Sequence, residues 1–234
     1  PRLHGWINVQ TDTRKPVWLS LNAYGSRSPT PDSIDGGLDA GATVQARSNI
    51  DVFLGFGWSM RSDSMQYVAE SQDTMGQPHY VFARLRQQAA AMTLRLNWTF
   101  SPKLTLQAYA QPFLSAASYS DYKDVTISRA ERFEDRFDQL AGRSLVLGDG
   151  GFTATNHGAM FEFARPDFDF RQLRSTVVVR WEYRPGSNVY AIWSHGRTSF
   201  IDDGRFDLGR DLDGLYDADE ENIVMVKANY WIGL

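Results

Sequence analysis

The sequence predicts an all-β chain: the C-terminal portion of an antiparallel transmembrane β-barrel, with about nine strands and long extracellular loops. Three observations predict it. Apolar and polar residues alternate with a period of two through segment after segment, which gives each strand one oily and one polar face. Short connections alternate with long ones, as in barrels whose turns lie on one side of a membrane and whose loops lie on the other. Aromatic residues gather near strand ends on the apolar face, where interfacial girdles lie.

The pattern is clearest in residues 173–193, where Val177, Val179, Trp181 and Tyr183 face one way and Arg174, Thr176, Arg180 and Glu182 the other. Arg184-Pro185-Gly186-Ser187 then turns the chain, Pro185 presetting φ and Gly186 free to take φ > 0. In chain order, residues 5–10 and 17–24 read as strands around a polar turn, and 26–37 as a Ser/Pro/Asp/Gly loop. Residues 40–48 and 52–60 form the next pair, with Val52, Leu54, Phe56, Trp58 and Met60 on one face and Phe53, Gly55, Gly57 and Ser59 on the other. Residues 79–100 read as one long strand, bent near Arg86-Gln87-Gln88, in which Met92, Leu94, Leu96, Trp98 and Phe100 oppose Thr93, Arg95, Asn97 and Thr99. Ser101-Pro102-Lys103 turns into a strand from Leu104. The alternation breaks over 118–167, a long extracellular loop or small subdomain with a short helix near Glu131 to Phe137 and a turn at Gly148-Asp149-Gly150-Gly151. An acidic extracellular loop spans 202–222, and the last strand runs from Ile223 to Leu234. The whole of 1–234 thus reads as part of one barrel.

Composition narrows the function classes. The chain has 234 residues, a net charge of −4 and no cysteine, so zinc-thiolate sites and disulfides are excluded and nucleic acid is not an expected partner. No run of about 18 apolar residues exists, and a mean hydropathy of −0.40 says little about strands, half of whose residues are polar even in a membrane. The start at Pro1-Arg2-Leu3, without initiator Met or signal pattern, fits a processed chain or a fragment. A soluble antiparallel sandwich would show the same periodicity. The strand-end aromatics Trp58, Trp98, Trp181, Tyr183 and Tyr230 weigh toward a girdle instead, with Trp231 on the opposite parity. Arg95, Arg174, Arg180, Glu182 and Lys227, on the other face, are candidates to line a wet lumen.

Several separated motifs carry a resemblance. Asn97-Trp98-Thr99-Phe100-Ser101-Pro102, Tyr119-Ser120-Asp121-Tyr122-Lys123, Pro166-Asp167-Phe168-Asp169-Phe170-Arg171, Arg180-Trp181-Glu182-Tyr183-Arg184-Pro185-Gly186-Ser187 and Val226-Lys227-Ala228-Asn229-Tyr230-Trp231 resemble the closing half of the Gram-negative domain-of-unknown-function family 5916. The resemblance implies a bacterial outer-membrane location. It also implies an N-terminal domain similar to family 9 carbohydrate-binding modules, absent from this chain, and an incomplete set of barrel strands. Tyr230, Ile232 and Leu234, alternating up to the last residue, resemble the terminal strand read by the outer-membrane assembly machinery.

Candidate chemistry is sparse. Ser194 and His195 are adjacent and so face opposite sides of a strand, a poor nucleophile–base pair. Asp211 and Asp213 lie in the acidic run as a weak Ca²⁺ candidate, without the spacing of an EF-hand loop. Arg180 and Glu182 read first as a bracing ion pair, and the aromatics from Tyr119 to Phe170 as the small core of a folded loop. The resulting expectation is a passive outer-membrane pore or anchor linked to glycan or nutrient capture, rather than a barrel enzyme acting on lipid or glycan. Its expected partners are outer-membrane lipid and lipopolysaccharide, with glycans or a surface protein complex beside them, and no cofactor is implied.

Overall fold

The computed structural model describes residues 2–232. Its main element is an antiparallel sheet built from β1 (Leu3–Gln10), β2 (Val17–Pro29), β3 (Asp32–Arg47), β4 (Ile50–Gln72), β5 (Pro78–Ser101) and β6 (Leu104–Val125). It continues after an insertion with β11 (Phe168–Arg184), β12 (Ser187–Ile201) and β13 (Asp219–Ala228). Within the insertion, β7 (Phe137–Gln139) pairs with β6, while β8 (Leu145–Gly148), β9 (Gly151–Asn156) and β10 (Ala159–Phe163) form a separate three-stranded sheet. One helix, α1 (Leu208–Tyr216), precedes β13.

The sheet is open and not part of a barrel, which corrects the expected C-terminal portion of a transmembrane β-barrel. β1 pairs only with β2, and β13 only with β12, so both edges remain free among the described residues. Strand direction gives the reason: along the nine-strand path, alternation leaves β1 and β13 running the same way, so no antiparallel ladder can join them.

Register turns the sequence pattern into two continuous faces. Val9, Leu21, Ala40, Phe56 and Met92 are successive cross-strand partners, as are Leu96, Ala108, Val177, Trp193 and Val224. Many of these side chains are exposed, Phe56 at 41% and Trp193 at 45% among them. At about 4.8 Å between strands and about 3.3 Å per residue, nine strands apolar over some eight residues make a face of roughly 40 by 25 Å. Monomers in water rarely expose a patch beyond a few hundred Å².

Several elements differ from the sequence reading. Residues 26–37 are not a loop, because β2 and β3 pair from Pro29–Asp32 downward and only Thr30-Pro31 connects them. Residue Gly37 permits this: a Cβ there would lie 2.7 Å from the Tyr24 ring. Strand β5 has no irregularity at residues 86–88; the register shifts fall at Phe82/Arg84 and Thr99/Ser101. The final strand is Asp219–Ala228, starting four residues earlier than expected; beyond it Asn229 still exchanges two backbone hydrogen bonds with Asn188, at 3.2 and 2.9 Å. Strands β4, β5 and β6 are 23, 24 and 22 residues long, far beyond the about 9–11 residues that cross a bilayer.

Two layers cover the far ends of these long strands. On the polar side, the small sheet packs against Val81, Ala83 and Tyr122 through Ala154, Phe161 and Phe163, forming the buried core with Leu140. On the apolar side, α1 seats Leu215 and Asp211 against the outer end of β11. Over β6, β11 and β12 the apolar face is therefore bounded by α1 at one end and by the short turns at the other. No helix among the described residues is long and apolar enough to cross a membrane, which says nothing about strands.

Candidate functional site

On the polar face, hydrogen-bonding side chains converge on open space. Gly41 and Gly55 are direct cross-strand partners, and Gly57 lies opposite Asp39. These glycines make a floor. A Cβ on Gly55 would meet the Phe53 ring at 3.0 Å, one on Gly41 would meet Ser20 Oγ at 2.7 Å, and one on Gly57 would meet Asp39 Oδ1 at 2.9 Å. Their absent side chains leave a cleft of about 340 Å³ edged by Asn8, Asn22, Asp39, Thr93 and Gln111. Tyr109 donates its hydroxyl to Gln111 Oε1 at 2.6 Å, and Asn22 Nδ2 donates to Asp39 Oδ2 at 3.4 Å.

The expected lumen-lining charges do share this face, in four separate settings. Arg95 is exposed between two rings, its guanidinium carbon 5.7 Å from both the Phe53 and Tyr109 centroids. Arg174 lies across from Gln111 and Gly196, and Lys227 across from Tyr190 on the free β13 edge. Arg180 donates to Asn188 Oδ1 at 3.0 Å and to Glu182 Oε2 at 3.4 Å, while Glu182 Oε1 accepts the Gly186 N–H at 3.0 Å. The Arg180–Glu182 pair therefore runs along one strand and braces the β11–β12 turn.

The girdle candidates fall in two rows. At the short-turn end, Trp98 packs on Phe100 at 4.1 Å and Trp181 on Tyr183 at 6.1 Å, and Arg184 lies 5.4 Å over Tyr230. Trp58 stands eight residues up β4 from Ile50, the residue paired with Trp98, and so belongs to the opposite margin. Tyr230 and Ile232 lie exposed beyond β13, where Trp231 N–H donates to Ser187 Oγ at 2.9 Å; Leu234 lies outside the described residues.

The weak Ca²⁺ candidates are not brought together. Asp213 is exposed on α1, whereas Asp211 is fully buried with its oxygens taken: Arg171 Nη2 reaches Oδ1 at 3.0 Å, Arg210 Nε at 2.9 Å, and the Asp207 N–H reaches Oδ2 at 2.9 Å. Asp169, also fully buried, takes two bonds from Arg171, at 3.1 and 2.6 Å, and one from Arg210 at 2.8 Å. Burial pushes the Asp169 carboxyl above the usual range, against the pull of the Arg171 hydrogen bonds, with the Asp211 charge adding to the rise. This two-Asp, two-Arg network clamps α1 to β11. Sequence reasoning missed it because its halves lie about 40 residues apart.

The histidines do not form a nucleophilic site. Ser194 Oγ contacts Thr176 Oγ1 at 3.3 Å on one face, while His195 Nδ1 lies 3.1 Å from Asn222 Oδ1 on the other. Under the small sheet, His79 stacks on Phe161 at 4.0 Å and its Nδ1 lies 2.6 Å from Asp124 Oδ2. Asn156 Nδ2 bridges Asp124 at 3.1 Å and Asp138 at 3.3 Å, and His157 Nε2 lies 2.7 Å from Asp138. This chain of contacts ties the small sheet to β5 and β6. Among the described residues no group of His, Asp and Glu could hold a metal ion.

The same core supplies a spectroscopic prediction. Burial pushes the Tyr122 phenol well above its ordinary value, and the Asp167 charge adds to the rise; Tyr119 moves the same way less strongly. In a phenolate absorbance titration, Tyr122 should stay protonated through the pH range in which ordinary tyrosines ionise, with Tyr119 displaced in the same direction. The Tyr122→Phe variant should therefore leave the absorbance change through that range unaltered.

The family model described as "Domain of unknown function (DUF5916)" matches residues 1–234. No curated protein and no solved structure matches the chain. With a match over its whole length, the chain belongs to the DUF5916 family.

Proposed function

We propose that the chain works at the bacterial outer membrane, with its apolar face against lipid and its polar face lining a hydrated path for polar solutes. The continuous apolar face carries this reading. It spans every strand of the main path, and its roughly 25 Å height matches the apolar band of outer-membrane strands. The Trp98, Phe100, Trp181 and Tyr183 row at one margin and Trp58 at the other support the same placement. The polar face, with amides, hydroxyls and exposed arginines, has the character of a surface kept in water. A free edge in lipid leaves backbone groups unpaired at several kcal/mol each, so the reading needs the β1 and β13 edges shielded from hydrocarbon. The family resemblance, in which a carbohydrate-binding-like domain precedes the strand region, adds glycan capture as the task such a surface would serve.

Flotation tests the proposal. The purified chain, mixed with phospholipid vesicles and centrifuged through a density gradient, should rise with the vesicles and stay with them through an alkaline carbonate wash. Recovery at the bottom of the gradient as a monodisperse species without detergent would overturn it.

A further inference from the structure

We infer that the glycine-floored cleft on the polar face is a binding subsite for a neutral, polyhydroxylated solute of the sugar class. The inference rests on the reading of this face as water-lined, and it adds the chemical class of solute and the residues that hold it.

Charge narrows the ligand first. Asp39 is the single carboxylate lining the cleft, too few for a multivalent cation, and no Lys or Arg lines it, Arg95 packing on Phe53 and Arg174 lying across from Gln111 at its border. Asn8, Asn22 and Gln111 each present a donor and an acceptor within one side chain, and Thr93 adds a hydroxyl that can do either. Much of this capacity is unspent. Asn8 has no side-chain hydrogen bond among the described residues, and the Gln111–Thr93 and Asn22–Asp39 contacts, at 3.5 and 3.4 Å, are long. Vicinal hydroxyls, each both donor and acceptor, are the ligand groups that match such a set.

Shape supplies the second argument. Phe53 lies over Gly41 and Gly55 because neither carries a Cβ, so a flat apolar ring stands beside the ring of amides. Sugars combine hydroxyls on their rim with C–H groups on their faces, and an aromatic ring beside amides addresses both. The volume of about 340 Å³ lies within the ~300–1,000 Å³ of small-molecule sites. Arg95, its guanidinium carbon 5.7 Å from the Phe53 centroid, packs on the ring that a sugar would meet.

Saturation-transfer NMR on the intact chain in vesicles or detergent, with maltohexaose as the neutral probe and glucuronate as the anionic one, tests the inference. Transfer to maltohexaose and not to glucuronate is expected. Asn22→Ala should weaken it about ten-fold, the equivalent of one good hydrogen bond, and Gly55→Val should abolish it by tipping the Phe53 ring into the cleft. Asp39→Asn, which keeps hydrogen-bonding capacity, should change it less than about three-fold. No transfer to maltohexaose, equal transfer to glucuronate, or transfer unaffected by Asn22→Ala would overturn the subsite. Vesicle flotation of the same samples without sugar separates the two claims, since loss of sugar binding with flotation intact removes the subsite alone.

Discussion

Replacing Arg171 by alanine is expected to cost about 3–5 kcal/mol of stability, because it leaves buried carboxylates with less than their full set of partners. Asp169 and Asp211 are both fully buried, and Arg171 is the only side chain that reaches both of them from within β11. The loss should be read by chemical or thermal unfolding. It should release α1, since Leu215 is the only apolar side chain of the helix buried against the sheet. Packing offers a second route to the same network. A Cβ on Gly214 would lie 1.9 Å from Arg171 Nη1, so Gly214→Ala must displace the guanidinium and should destabilise by about 1–3 kcal/mol. Replacing Asp169, Arg171 and Asp211 together by apolar residues of similar size should recover much of the loss, as buried ion networks often do. Equal stability of Arg171→Ala and the wild-type chain would show that the clamp contributes nothing.

The second large effect is expected on the apolar face. Leu94→Arg should cost about 2–4 kcal/mol in the membrane-bound protein, the penalty for an arginine near the bilayer midplane, and should cut vesicle retention sharply. Leu94 faces Leu54 and Ala110 in the middle of that face and is 45% exposed. One residue away, Thr93→Arg points to the polar side and should change stability by no more than about 0.5 kcal/mol. A face that met water would tolerate both substitutions equally.

Much of the sheet was legible because period-two alternation is a local property. The faces of β5, from Met92 to Phe100 against Thr93 to Thr99, follow from the sequence without knowledge of any neighbour. Where composition and alternation disagreed, composition misled. The Ser, Pro, Asp and Gly of residues 26–37 look like a loop, yet glycine here relieves crowding against Tyr24 within a paired hairpin. The acidic run hid a helix. Asp207 caps it by accepting the Arg210 N–H at 3.1 Å, and Leu208, Leu212 and Leu215 keep helical spacing, a signal present but outweighed by charge. Openness was legible only as a strand count near nine; that β1 and β13 run the same way follows from the pairing order, which no single strand carries. The cleft depends on register in the same way: Asn8, Asn22, Asp39 and Gly57 form one row only once four strands have paired.

The central claim is that one face of the sheet meets lipid and the other water, and a chain without cysteine allows it to be tested position by position. Single cysteines at consecutive positions from Ala90 to Trp98, spin-labelled in vesicles, should alternate strictly in collision with oxygen, which enriches in lipid, and with a water-soluble nickel complex. Met92, Leu94 and Leu96 should favour oxygen, while Thr93, Arg95 and Asn97 should favour nickel. High nickel accessibility at both sets would contradict the account and place the apolar face in water.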